Sequence, residues 1–63
     1  MTVSVLRAFR SARGLTLDEA GKRARIERSK LSRAERNFAR LTKDELRRLA
    51  RVLRVRVADL GQG

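Results

Sequence analysis

Between Lys22 and Arg40 the chain carries eight basic side chains (Lys22, Arg23, Arg25, Arg28, Lys30, Arg33, Arg36 and Arg40) against two carboxylates, Glu27 and Glu35. Cations at that density suit one kind of chemistry, the binding of a polyanion. Within the segment, Ile26 to Arg36 reads as a short helix with one apolar stripe and mostly basic side chains elsewhere. Covalent chemistry has no comparable support. The chain has no histidine and no cysteine, which removes the commonest general base, nucleophile system and zinc ligands. It has no glycine-rich phosphate loop and no cluster of carboxylates. Ser29 and Lys30 stand without a supporting motif. The expectation is no enzymatic activity, no metal and no cofactor.

The elements that would carry these cations are short helices. Only Val55 and Val57 alternate with a polar residue, which is too brief for a strand. A first helix is expected over residues 3–13, with Val5, Leu6, Phe9 and Ala12 inward. Gly14 then suits the left-handed position after a helix end, and Leu15 fills the corner. Thr16 and Glu19 form a capping box, hydroxyl to backbone amide and carboxylate back to the cap. They open a second helix whose inward residues are Leu17, Ala20 and Ala24. Gly21 inside it costs ~1 kcal/mol relative to alanine, and allows a close helix–helix approach. The third helix should run from Arg28 to Arg36, with Leu31, Ala34 and Glu35 inward. Asn37 would end it, since asparagine tolerates the left-handed region. Thr42 and Glu45 form a second capping box ahead of a stripe of Leu46, Leu49, Ala50 and Leu53. Val55, Val57 and Leu60 suggest a short closing helix or turn. Ser32 and Glu35 repeat the capping pattern inside a helix and are discounted. Two short helices joined by about three residues, the second basic, make a helix-turn-helix over about residues 16–36.

Composition sets the outer bounds. Sixty-three residues predict one domain, 1–63, near the lower limit for folding on a single core. The net charge is +10 and the isoelectric point about 11.9. Fourteen arginines against three lysines also fit a general arginine bias, so position carries more weight than total charge. No apolar run approaches the ~18 residues of a membrane span. The N-terminus lacks the apolar region of a secretory signal. The expected compartment is the cytoplasm, on the nucleoid when bound to DNA.

The order Leu6-Arg7, Arg10, Gly14-Leu15-Thr16-Leu17, Ile26, Ser29, Leu31-Ser32, Glu35, then Leu46, Leu49-Ala50, Leu53, Val55, Val57 and Leu60 resembles the Cro/C1-type (XRE-like) helix-turn-helix family over nearly the whole chain. That resemblance implies an all-α, compact bundle of about five short helices that binds operator DNA, commonly as a homodimer, and regulates transcription. It implies that the third helix lies in the major groove with Arg28, Ser29 and Arg33 at the base edges. Arginine pairs with guanine O6 and N7, at ~1–3 kcal/mol of discrimination per contact. The alternative for Arg28 and Arg33 is phosphate contact without readout. Phosphate contacts are expected from Thr16, Lys22, Arg36, Asn37, Arg40 and Lys43, with Arg13 a further candidate. Thr16 also serves as a cap. The resemblance further pairs Arg10 with Glu35 beneath the recognition helix; the alternative is two independent surface charges.

The chain departs from the family's pattern at several positions. The family commonly has glycine where Arg25 and Arg54 stand, alanine at Gly21, leucine at Ala20, and serine or threonine at Glu27. A left-handed arginine costs ~1–2 kcal/mol, so either the turns differ or stability falls. Arg47, Arg48, Arg51 and Arg54 are read as mainly solvated, with Asp44 and Arg48 spaced for a helical ion pair. A second functional class is an antitoxin or adaptor-type module with secondary DNA binding, using an apolar patch of Phe38, Leu41, Val57 and Leu60. Dimerisation explains those residues more simply. With two phenylalanines and no tyrosine or tryptophan, there is no stacking platform for RNA.

Overall fold

The computed structural model describes residues 4–60. Four α-helices follow one another: α1 (Val5–Ala12), α2 (Leu17–Ala24), α3 (Arg28–Glu35) and α4 (Lys43–Leu53), with a 3-10 turn over Val57–Leu60. There is no strand among the described residues. Leucines from α3, α4 and the 3-10 turn (Leu31, Leu49, Leu53 and Leu60) form the most buried part of the core. Helix α2 packs on both α3 and α4, and α1 closes on α3 and the 3-10 turn.

Local chemistry sets the helix starts. The Ser4 hydroxyl accepts from the Arg7 amide at 3.1 Å and opens α1. Both expected capping boxes are formed. Thr16 Oγ1 accepts from the Glu19 amide at 3.1 Å, and the Glu19 carboxylate accepts from the Thr16 amide at 3.0 Å. Thr42 and Glu45 repeat the exchange at 3.1 and 2.8 Å. Helix α3 is different. Glu27 stands at its N-cap and makes no side-chain cap bond.

All four helices end in the same way. A left-handed residue follows each: Gly14 (φ 67°), Arg25 (φ 56°), Asn37 (φ 64°) and Arg54 (φ 58°). The next amide turns back to a carbonyl five residues upstream: Leu15 to Arg10, Ile26 to Gly21, Phe38 to Arg33 and Val55 to Ala50, at 2.8–3.2 Å. This is the Schellman closure, which satisfies carbonyls that a helix end leaves open. Gly14 and Asn37 suit the conformation. Arg25 and Arg54 adopt it despite their Cβ atoms, so the turns keep their shape and stability carries the cost.

Gly21 is needed where it stands. A Cβ there would lie 2.7 Å from the Ile26 carbonyl oxygen, a backbone atom. The close approach is between α2 and the turn that leads into α3.

Two inward assignments change. Val5 is 45% exposed and Ala12 lies in solvent, although both were expected inside. The cause is Arg10, whose side chain is only 14% exposed because it reaches under α3. Turning Arg10 inward places Leu6 and Phe9 on the core side and rotates Val5 and Ala12 out. Helix α1 also starts at Val5 and stops at Ala12; residue 3 of the expected span lies outside the described residues. Finally, Leu41 and Leu60 are 6% and 2% exposed. They belong to the core, and the apolar patch that would have joined them to Phe38 and Val57 does not form.

Arg54→Gly should raise stability by ~1 kcal/mol, because glycine adopts the left-handed region without the Cβ penalty. Urea unfolding monitored by circular dichroism checks this. An unchanged or lowered midpoint would contradict the strain assigned to Arg54.

Candidate nucleic-acid interface

Helix α3 is held from below by one ion pair. Arg10 Nε donates to Glu35 Oε2 at 2.6 Å and Nη2 donates to Oε1 at 3.0 Å. The third donor, Nη1, reaches the Leu15 carbonyl at 2.9 Å. The Glu35 side chain is 6% exposed. The bond to Glu35 raises the Arg10 pKa above its ordinary value, so the guanidinium stays charged throughout the accessible pH range. One side chain thereby ties together α1, the α1–α2 corner and the end of α3.

A second tether sits at the flank of α3. Lys30 Nζ donates to both Glu45 oxygens, at 2.8 and 2.9 Å. Glu45 also caps α4. The Lys30 ammonium, and then the Thr42 amide, hold the Glu45 carboxyl below its usual pKa. The Glu19 carboxyl is lowered too, by the Thr16 amide and then the Thr16 hydroxyl.

Two arginines read as surface cations are structural. Arg48 Nε donates to the Ala24 carbonyl at 2.7 Å and Nη2 to the Arg25 carbonyl at 3.3 Å, while Nη1 pairs with Asp44. It therefore clamps the end of α2 and the turn into α3. Arg13, a phosphate candidate by sequence, donates Nε to the Leu53 carbonyl at 3.0 Å and closes the end of α4. Sequence reasoning missed both because the partners are backbone carbonyls 24 and 40 residues away. The one available signal was that left-handed helix ends leave carbonyls in search of donors. For Lys30 the signal was Glu45 itself, already fixed in place by its capping role.

With Leu31, Ala34 and Glu35 buried, the 3.6-residue period turns Ser29, Arg33 and Arg36 outward with Ser32 beside them, while Arg28 lies one turn before Leu31 and is exposed as the first residue of α3. Arg28, Ser29, Arg33 and Arg36 are all exposed. Neither the Arg28 nor the Arg33 guanidinium makes a hydrogen bond or an ion pair with the described residues. Ser29 Oγ donates to Glu27 Oε1 at 2.8 Å. Its proton thus engaged, the hydroxyl offers only lone pairs to anything in front of it.

The remaining phosphate candidates lie on either side. Asn37, Arg40 and Lys43 are exposed along the loop from α3 into α4. Thr16 and Lys22 sit on α2. The Thr16 amide and hydroxyl are both engaged by the capping box with Glu19. Lys22 lies 3.4 Å from Asp18 in an exposed pair, worth little against solvent. Arg36 to Lys43 contains no carboxylate.

A family profile described as a helix-turn-helix domain matches residues 3–61. The chain belongs to that helix-turn-helix family, and its resemblance to the Cro/C1-type branch stands. The crystal structure of the clp gene regulator ClgR from Corynebacterium glutamicum is similar, with a TM-score of 0.83 and 32% sequence identity. The match covers 89% of this chain and 60% of that one. No curated protein matches the chain in sequence. No helix among the described residues is long and apolar enough to cross a membrane.

The lowered Glu45 pKa has a consequence for acid stability. A carboxyl whose folded pKa lies below its unfolded value of ~4.3 stabilises the fold above that value. The contribution is lost as pH falls through the folded pKa. Glu45→Gln should therefore be less stable than the parent at pH 6–7 and converge on it toward pH 3. Thermal melts across that range check the sign. Parallel curves would show that the Lys30–Glu45 contact carries no linkage.

Proposed function

We propose that this chain is a DNA-binding transcriptional regulator that reads double-stranded operator DNA by seating α3 in the major groove. The observation that carries the reading is the outward face of α3. Two unpartnered arginines and one serine project from a helix whose underside is fixed by the Arg10–Glu35 pair. Arg28 and Arg33 meet guanine O6 and N7. Ser29, with its proton on Glu27, accepts from cytosine N4 or adenine N6. Arg36, Asn37, Arg40 and Lys43 contact phosphates beyond the end of α3. Thr16 and Lys22 do the same at the two ends of α2, and at Thr16 the positive end of the helix dipole adds to the attraction.

A similar clp gene regulator supports the regulatory reading, although this chain spans 60% of that protein. The mode of action we propose is repression by a homodimer on a palindrome. Its half-sites should be centred about one helical turn, ~10 base pairs, apart. The protein works in the cytoplasm, on the nucleoid, with no cofactor and no catalytic step. The adaptor reading loses support because Leu41 and Leu60 are internal.

Selection of bound duplexes from a random pool, followed by salt titration of the winner, tests the proposal. An enriched palindrome containing G·C pairs is expected. Arg33→Ala should cost ~1–3 kcal/mol on that site and relax preference at one position. Arg40→Ala should weaken all duplexes alike and reduce the salt slope by ~1. Equal losses on selected and random DNA for Arg33→Ala would reassign it to phosphate. Failure to enrich any motif would remove the sequence-specific reading.

A further inference from the structure

The four helix ends allow an internal comparison. In a Schellman closure the residue after the left-handed one usually makes an apolar contact with the helix it terminates. Leu15, Ile26, Phe38 and Val55 hold this position. Ile26 is 4% exposed, and Leu15 and Val55 pack partly against the core. Phe38 alone projects, at 76% exposure. The position it would cover on α3 is Arg33, which points outward. The fold gives Phe38 nothing apolar to rest on.

Its surroundings indicate what covers it. Arg36, Arg40 and Lys43 are exposed in the same segment, which has no carboxylate. The Arg36 guanidinium carbon lies 5.8 Å from the ring centroid, within the range of a cation–π contact. A partner for this patch must therefore be anionic and also offer an apolar surface to a phenyl ring. The DNA backbone does both at a few ångströms' spacing, with phosphate oxygens alternating with the C–H faces of deoxyribose.

We propose that Phe38 is a DNA contact: its ring packs on a deoxyribose at the edge of the groove while Arg36 and Arg40 take the flanking phosphates. The proposal rests on the DNA-binding reading above and extends it from charge to an uncharged anchor. The ring meets sugar, so it adds affinity without base preference.

Phe38→Ala distinguishes this from the alternatives. The residue is exposed, so the variant should melt as the parent does. Duplex affinity is measured for both proteins at several salt concentrations, on the selected site and on random DNA, alongside sedimentation equilibrium without DNA. The expected result is a loss of roughly tenfold on both duplexes, the scale of losing a buried phenyl contact. The lines of log affinity against log salt should stay parallel, because no counterion is released by a neutral ring. An unchanged affinity would overturn the proposal. So would weakened self-association with unaltered half-site binding, which would make Phe38 a subunit contact. If the parent binds no duplex at all, the DNA-binding reading itself fails, a result distinct from either.

Discussion

The pair between Arg10 and Glu35 is the constraint on which the rest of the structure depends. A carboxylate on the underside of α3 is intolerable in a small core unless it is charged, bonded and matched. Arg10 supplies two parallel donors and uses its third on the Leu15 carbonyl. Removing one partner of such a pair costs ~3–5 kcal/mol, whereas its net contribution to stability is small. Its value here is geometric. Burying Arg10 sets the rotation of α1, and burying Glu35 sets the rotation of α3. Once those are fixed, Ser29, Arg33 and Arg36 have no direction left but outward.

The same economy runs through the charges. Every carboxylate of the chain is engaged within the fold. Glu19 and Glu45 cap helices. Glu35 and Asp44 hold arginines that reach across to other elements. Glu27 takes the Ser29 hydroxyl. Asp18 and Asp59 face Lys22 and Arg56 close by in sequence. The cations divide differently. Arg10, Arg13, Lys30 and Arg48 are drawn into structure, three of them onto backbone carbonyls. Those of α3's outer face and the following loop are left over. The net charge of +10 is thus expressed at the surface, where it can attract a polyanion at long range. Two left-handed arginines add strain in a domain whose size leaves little stability in reserve.

Much of this was legible in the sequence wherever the cause was local. Both capping boxes span four residues, and both formed. Gly14 and Asn37 ended their helices because their own side chains, or the lack of one, favour the left-handed region. The apolar stripe of α3 was enough to place Ser29 and Arg33 outside, and Arg28 is exposed as the first residue of the helix. The misreadings share one origin. Val5 and Ala12 were placed inward by apolar counting, but a buried guanidinium outranked a methyl group once Glu35 required it. Arg13 was read as a phosphate candidate and Arg48 as mainly solvated; the Asp44–Arg48 pair formed as spaced, but the carbonyl partners of both arginines are distant in the chain. Leu41 was offered as surface because loop position says nothing about which way a loop side chain turns, whereas Leu60 closes the core as the leading reading had it and only the adaptor reading placed it outside. The Glu27–Ser29 bond, which decides what Ser29 can accept or donate, follows from the missing N-cap of α3 and needed the structure to be seen.

The most direct test of the central claim is to titrate a duplex carrying the selected site into isotopically labelled protein and follow the backbone amide resonances. The account predicts that the largest shifts fall on Arg28 to Asn37, continue through Arg40 and Lys43, and include the amides at the start of α2. Shifts confined to the outer face of α4, around Arg47 and Arg51, would contradict it. That result would mean the outward face of α3 is not the surface that meets DNA.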